Sequence, residues 1–150
     1  MMQRPIIALV GVAAVLAAGC GGSSSSGGGL TSCALPSGTQ TVLVYPAPGS
    51  VGIPDNIPQI VFGSTTALPS GFSAYIVDTT TQNAFAFGNV VAASLPLPAP
   101  NTTPTFANPV YQASTNSGVT LSGGTSVSVY VDNLSGGCII PTSLGSFTVQ

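Results

Sequence analysis

From Thr41 onward the chain keeps one rhythm: short apolar runs, several alternating at period two, each closed by proline, glycine, aspartate or asparagine. Thr41–Tyr45 (TVLVY) stops at Pro46-Ala47-Pro48-Gly49-Ser50, and Ile57–Phe62 lies between Pro54-Asp55-Asn56 and Gly63. Phe72–Asp78 follows Leu68-Pro69-Ser70-Gly71, and Ala84–Val91 carries Phe85 and Phe87 on one face. Thr105–Ala113 is a weaker run broken by Pro109, Ser126–Val131 alternates with Val127, Val129 and Val131 inward, and Gly145–Gln150 closes the chain. Residues 95–101 (LPLPAPN) are too rich in proline for an interior strand and read as an extended crossing. No segment carries a helical period. About seven short strands at this spacing predict an all-β fold, a β-sandwich.

Composition narrows the function. Only 3% of the residues are charged, histidine is absent, and Arg4 is the sole basic side chain. Without histidine or lysine there is no ordinary base for a serine or cysteine nucleophile. The acids are Asp55, Asp78 and Asp132, spaced unlike a carboxylate dyad, so the sequence predicts a protein that is not an enzyme and implies no cofactor. Nucleic acid is excluded as a partner because nothing beyond Arg4 can neutralise phosphate. Asp55 and Asp78 are weak candidates for calcium, which takes oxygen ligands. The competing reading is that both carboxylates serve their own turns. No other metal site is expected.

The first twenty residues carry a different message. Arg4 and the amino terminus precede an apolar run from Ile6 to Ala18, too short for a bilayer span of roughly 20 residues. Small residues Ala17, Ala18 and Gly19 then lead to Cys20. This stretch resembles a bacterial lipoprotein signal with its lipobox, Ala17 standing where the preferred pattern has leucine. The resemblance implies a signal peptide over 1–19, cleavage before Cys20 and lipid on its sulfur, hence a membrane anchor. An ordinary secretory signal with an incidental cysteine is the alternative. Residues 20–32 then form a lipidated cysteine and Gly/Ser tether, and residues 33–150 the folded domain. Gly21 is not the aspartate associated with inner-membrane retention, which favours the outer membrane in a host with two membranes.

With Cys20 given to lipid, Cys33 and Cys138 remain, and an exported pair tends to oxidise to a disulfide. Two buried free thiols are the other possibility. The stretch Leu121-Ser122-Gly123-Gly124-Thr125, leading into Val127, Val129 and Val131, resembles the approach to strand F of fibronectin type III and bacterial immunoglobulin-like domains. Val127 stands in place of the corner tyrosine and Gly123 in place of proline. Residues 44–62 are similarly like the first two strands of such domains. The resemblance implies an immunoglobulin-like or fibronectin type III-like sandwich. It also implies that Cys33 and Cys138 meet at the pole the tether enters, with Asp55 and Asp78 at the far pole.

Two functional expectations follow. The first is an anchored structural or protein-interaction module, whose uncharged strand edges lack the lysines that normally block pairing, with a partner protein or self-association in view. The second is a glycan-binding module built on Tyr45, Tyr75, Tyr111 or Tyr130. Tyrosines gathered on one sheet face would favour it, and burial would count against it.

Overall fold

Alternation of β-branched or aromatic residues with Ser, Thr and Ala lets each run bury one side and solvate the other. The computed structural model describes residues 34–93, 101–133 and 141–150. Eight strands form there: β1 (Thr41–Tyr45), β2 (Gln59–Ser64), β3 (Ser73–Asp78), β4 (Ala84–Asn89), β5 (Val91–Ala92), β6 (Val110–Thr115), β7 (Ser126–Asp132) and β8 (Thr142–Thr148). They make two antiparallel four-stranded sheets, ordered β1-β2-β6-β5 and β4-β3-β7-β8. No helix occurs among the described residues. The protein is all-β, a β-sandwich, as the sequence rhythm predicts.

The expected runs shift where proline intervenes. The second run starts at Gln59 rather than Ile57, and the sixth strand at Val110 rather than Thr105. In each case the strand begins only after Pro58 or Pro109, neither of which can donate to a ladder. The last strand starts at Thr142 rather than Gly145, and Gly145 sits in a bulge opposite Val129 and Tyr130 with φ of 142°. The run expected over Ala84–Val91 is two strands in different sheets. β4 pairs with β3, whereas β5 pairs with β6.

A single hydroxyl manages that change of sheet. The β3–β4 register slips between Ser73 and Tyr75, which releases the Ala74 backbone N–H from the ladder. Ser114 on β6, fully buried, accepts from that N–H at 3.3 Å and donates to the Gly88 carbonyl on β4. One serine thus joins both sheets where the chain crosses. Beside it Gln112 Oε1 accepts from the Leu68 N–H at 3.0 Å, and the Ser64 hydroxyl donates to the Thr66 carbonyl at 2.6 Å. These hold the β2–β3 connection against β6.

Between the sheets pack Leu43, Ile60, Phe62, Ile76, Phe87, Val127, Val129, Val131 and Phe147, all buried. A second cluster, Val44, Tyr45, Val61 and Ala113, lies on the outer side of the β1-β2-β6-β5 sheet. Its cover comes from the chain itself. Thr102 N–H donates to the Val44 carbonyl at 2.9 Å, and buried Pro104 sits directly over Gly63. A Cβ on Gly63 would come within 2.8 Å of Pro104 Cγ, so the strap fits only over a glycine.

Pairing fixes the poles. Thr41 opposes Ser64, Thr65 N–H bonds the Gln40 carbonyl, and Ser73 opposes Asp132. The chain entering β1, the β2–β3 connection and the β7–β8 connection therefore share one pole. Ala34, which enters β1, and Asn133, which leaves β7, belong to connections at that pole; Cys33 and Cys138, like Cys20, the signal 1–19, the tether 20–32 and residues 95–100 of the expected crossing, lie outside the described residues.

Two substitutions test these contacts. Ser114→Ala leaves the Ala74 N–H and Gly88 carbonyl without their partner and costs about 1–3 kcal/mol in urea denaturation. Gly63→Ala forces Pro104 outward and costs about 1–3 kcal/mol by overpacking. Unchanged unfolding midpoints would contradict both placements.

Candidate functional site

The outer face of the β4-β3-β7-β8 sheet is set by simple alternation. Ala74, Ile76, Val127, Val129 and Val131 point inward, so Tyr75, Val77, Ser126, Ser128 and Tyr130 point out. Tyr75 lies directly opposite Tyr130 in the register, and their rings stack with centroids 5.4 Å apart and planes 21° from parallel. Across the sheet the row continues to Ala86 on β4 and Ser143 on β8, both exposed. A half-buried tyrosine pair is thus flanked on each side by a small residue.

Burial, then the nearby Asp132 carboxylate, then Tyr130 push the Tyr75 phenol above its ordinary range. The other two tyrosines serve the fold: Tyr45 is buried and Tyr111 packs against the same outer cluster beneath the strap. Burial also raises the Tyr45 phenol.

The three aspartates do not converge. Asp55 is exposed in the β1–β2 connection, where its carbonyl accepts from Leu121 N–H at 3.0 Å. Asp78 ends β3 and receives the Thr80 and Thr81 N–H groups on Oδ1 at 2.7 and 3.0 Å. Those backbone bonds hold its carboxyl below the usual range. Asp132 lies at the opposite pole, buried, accepting from Asn133 N–H at 2.7 Å. Asp78 is thus occupied by its own turn. Among the described residues no group of three or more His, Cys, Asp or Glu could hold a metal ion.

Asn116 is a structural residue the sequence reading passes over. Its Nδ2 donates to the Ile57 carbonyl at 2.6 Å and the Val119 carbonyl at 3.0 Å, while Oδ1 accepts from Gly118 and Val119 N–H at 2.8 and 2.7 Å. It ties the β1–β2 and β6–β7 connections together at the pole of Asp55. The only signal was Asn-Ser-Gly, a turn tripeptide.

The sheet edges differ in kind. β8 is closed by the β1–β2 connection: Gly49 N–H bonds the Ser146 carbonyl at 2.7 Å, and Thr148 N–H bonds the Ser50 carbonyl at 2.8 Å. Ile53 continues this, donating to the Thr148 carbonyl at 3.1 Å and accepting from Gln150 N–H at 2.7 Å. At the other flank β4 exposes Ala84 and Ala86, and β5 exposes Val91 and Ala92. Lysine and proline, the usual blocks on edge pairing, are absent from both strands.

No protein-family model, curated protein or solved structure matches this chain. Among the described residues no helix is long and apolar enough to cross a membrane.

The ionisable groups predict an asymmetric pH response. Tyr45 and Tyr75 hold their protons more tightly folded than unfolded, so their contribution is complete below the ordinary phenol pKa of about 10 and is lost as pH rises through the higher folded values. Asp78 acts oppositely: its contribution is present above the ordinary carboxyl pKa of about 4 and is lost as pH falls through the lowered folded value. Tyrosinate absorbance from Tyr45 and Tyr75 should therefore develop late, together with alkaline unfolding. Titration of the Tyr45 or Tyr75 phenol at its ordinary pKa of about 10 in the folded protein, read by difference against Tyr45→Phe and Tyr75→Phe, would contradict this.

Proposed function

We propose that the protein is a non-catalytic, lipid-anchored envelope module whose immunoglobulin-like sandwich works by binding another protein surface. Lettering the strands A, B, C, C′, D, E, F and G in chain order gives sheets ABED and C′CFG, and this order supports the immunoglobulin-like reading. Lipid on Cys20 is the anchor, residues 20–32 are the spacer, and a Cys33–Cys138 bridge pins the pole nearest the membrane. The observation that carries the binding role is the contrast between flanks. The β8 edge is hydrogen-bonded to the chain's own residues 49–53, while β4 and β5 present an uncharged edge that is unblocked among the described residues.

A second reading, binding of a neutral glycan, draws on the Tyr75–Tyr130 pair. Stacked rings on an outward sheet face offer π-surface to sugar C–H groups, and the hydroxyls of Ser126, Ser128 and Ser143 offer hydrogen bonds without charge.

Chemical cross-linking in native membranes, followed by purification through a C-terminal tag and mass spectrometry, tests the first reading. A reproducible protein cross-link is expected; recovery of lipidated monomer alone would move glycan binding ahead. Cys20→Ala should abolish radiolabelled palmitate incorporation and release the chain from the membrane fraction. For the glycan reading, Tyr75→Ala with Tyr130→Ala should lose retention on an insoluble neutral polysaccharide.

A further inference from the structure

Residues 84–93 read AFAFGNVVAA, with Asn89 the single polar side chain in ten positions. The fold sets this run along one flank of the sandwich, where β4 edges one sheet and β5 the other. Ala84, Ala86, Val91 and Ala92 are exposed, and Val91, at 55%, is one of two exposed large hydrophobic residues among those described. Apolar side chains at an open edge strand are an association surface rather than a solvated one.

The register says which backbone groups are on offer. Asp78 N–H bonds the Asn83 carbonyl at 3.0 Å, and the pairs continue as Val77–Ala84, Ile76–Phe85 and Tyr75–Ala86. Hydrogen-bonded pairs alternate in an antiparallel ladder, so Phe85 spends its backbone groups on Ile76. The N–H and C=O of Ala84 and of Ala86 point away from β3, toward solvent.

We infer that this edge pairs with the same edge of a second copy of the chain, β4 antiparallel to β4 about a two-fold axis through Phe85. Ala84 of each copy then lies opposite Ala86 of the other, and these two pairs exchange four backbone hydrogen bonds. Phe85, half-buried at the rim of the core, meets Phe85 of the second copy at the close spacing of a non-hydrogen-bonded pair, about 4.5 Å between Cα atoms. Three features select a second copy over an unrelated strand. β4 carries no charge, so a two-fold brings no like charges together. The partner must itself bring a free apolar edge, and this chain has one. A β4–β4 contact uses the same patch on both copies and is isologous, and the opposite edge of that sheet, β8, is already occupied, so the joined sheet stops at two copies instead of extending.

This partner deepens the interaction reading above, which adds only that copies tethered to one membrane meet at a common height. Pairing is tested separately from anchoring, by the full-length chain purified in detergent with p-benzoylphenylalanine in place of Phe85. Irradiation should give a dimer whose cross-link joins residue 85 of one copy to β4 of the other, while the same probe at Ser146 gives none. Ala84→Lys with Ala86→Lys sets lysine opposite lysine across the axis and should weaken the dimer at least about tenfold. Ala84→Asp with Ala86→Lys sets opposite charges there and should retain it. Monomer alone, cross-linking at 85 only to a different protein, or equal loss of dimer in both double variants would overturn the inference. Palmitate labelling of Cys20 reports on the anchor whichever way pairing falls.

Discussion

Where the strand ladders leave backbone groups unpaired, a chain with no basic side chain after Arg4 satisfies them with hydroxyls, amides and carboxylates. An unpaired buried N–H or C=O costs about 1–3 kcal/mol, against a total stability of about 5–15 kcal/mol for a domain. Ser114, Gln112, Ser64 and Asn116 carry this load, each bonding backbone from a distant part of the sequence. Among the described residues no buried side-chain nitrogen or oxygen is left without a partner. Ser114 is the pivotal case: the bulge that frees Ala74 N–H and the crossing that exposes Gly88 carbonyl occur at one place, and one hydroxyl serves both. Around that contact β4 leaves one sheet and β5 joins the other.

The crossing also shapes what the molecule presents. Thr102 and Pro104, ahead of β6, lie on the outer face of the first sheet, where Pro104 seats on Gly63 beside a second small cluster. The β1–β2 connection runs along β8 and takes up its backbone groups. Among the described residues the β4–β5 flank and the outer face bearing Tyr75 and Tyr130 stay open. The flank carries no charge and the tyrosine face has only the Asp132 carboxylate nearby, so binding at either rests on apolar contact, ring stacking and hydrogen bonds.

Much of the fold was legible in the sequence. Strand positions followed from period-two alternation, and the punctuation by proline and glycine marked their ends to within a few residues. Where expectation and structure part, the cause is specific. Pro58 and Pro109 delay two strands because neither can donate a hydrogen bond. Ala84–Val91 read as one strand because Phe85 and Phe87 alternate within it; Gly88-Asn89 marks a break, but nothing local announces that the residues beyond it join the other sheet or that Ser114, 26 residues beyond Gly88, holds the crossing. The candidate site was legible only as a list. Four tyrosines were equivalent in sequence, and register alone separates the stacked pair from Tyr45 in the outer cluster.

The sequence by itself determined the all-β class and the lack of any basic side chain after Arg4, and it offered a turn role as one of two readings of Asp78. These depend on residue type and near-neighbour spacing, because alternation and turn chemistry act over a few residues. Tertiary structure decided which edges are closed, which sheet face is roofed, and which tyrosines meet. Those outcomes depend on contacts between residues far apart in the chain, such as Ser50 with Thr148, Gly63 with Pro104 and Tyr75 with Tyr130. No local pattern encodes them; they are fixed only when the two sheets close on a shared core.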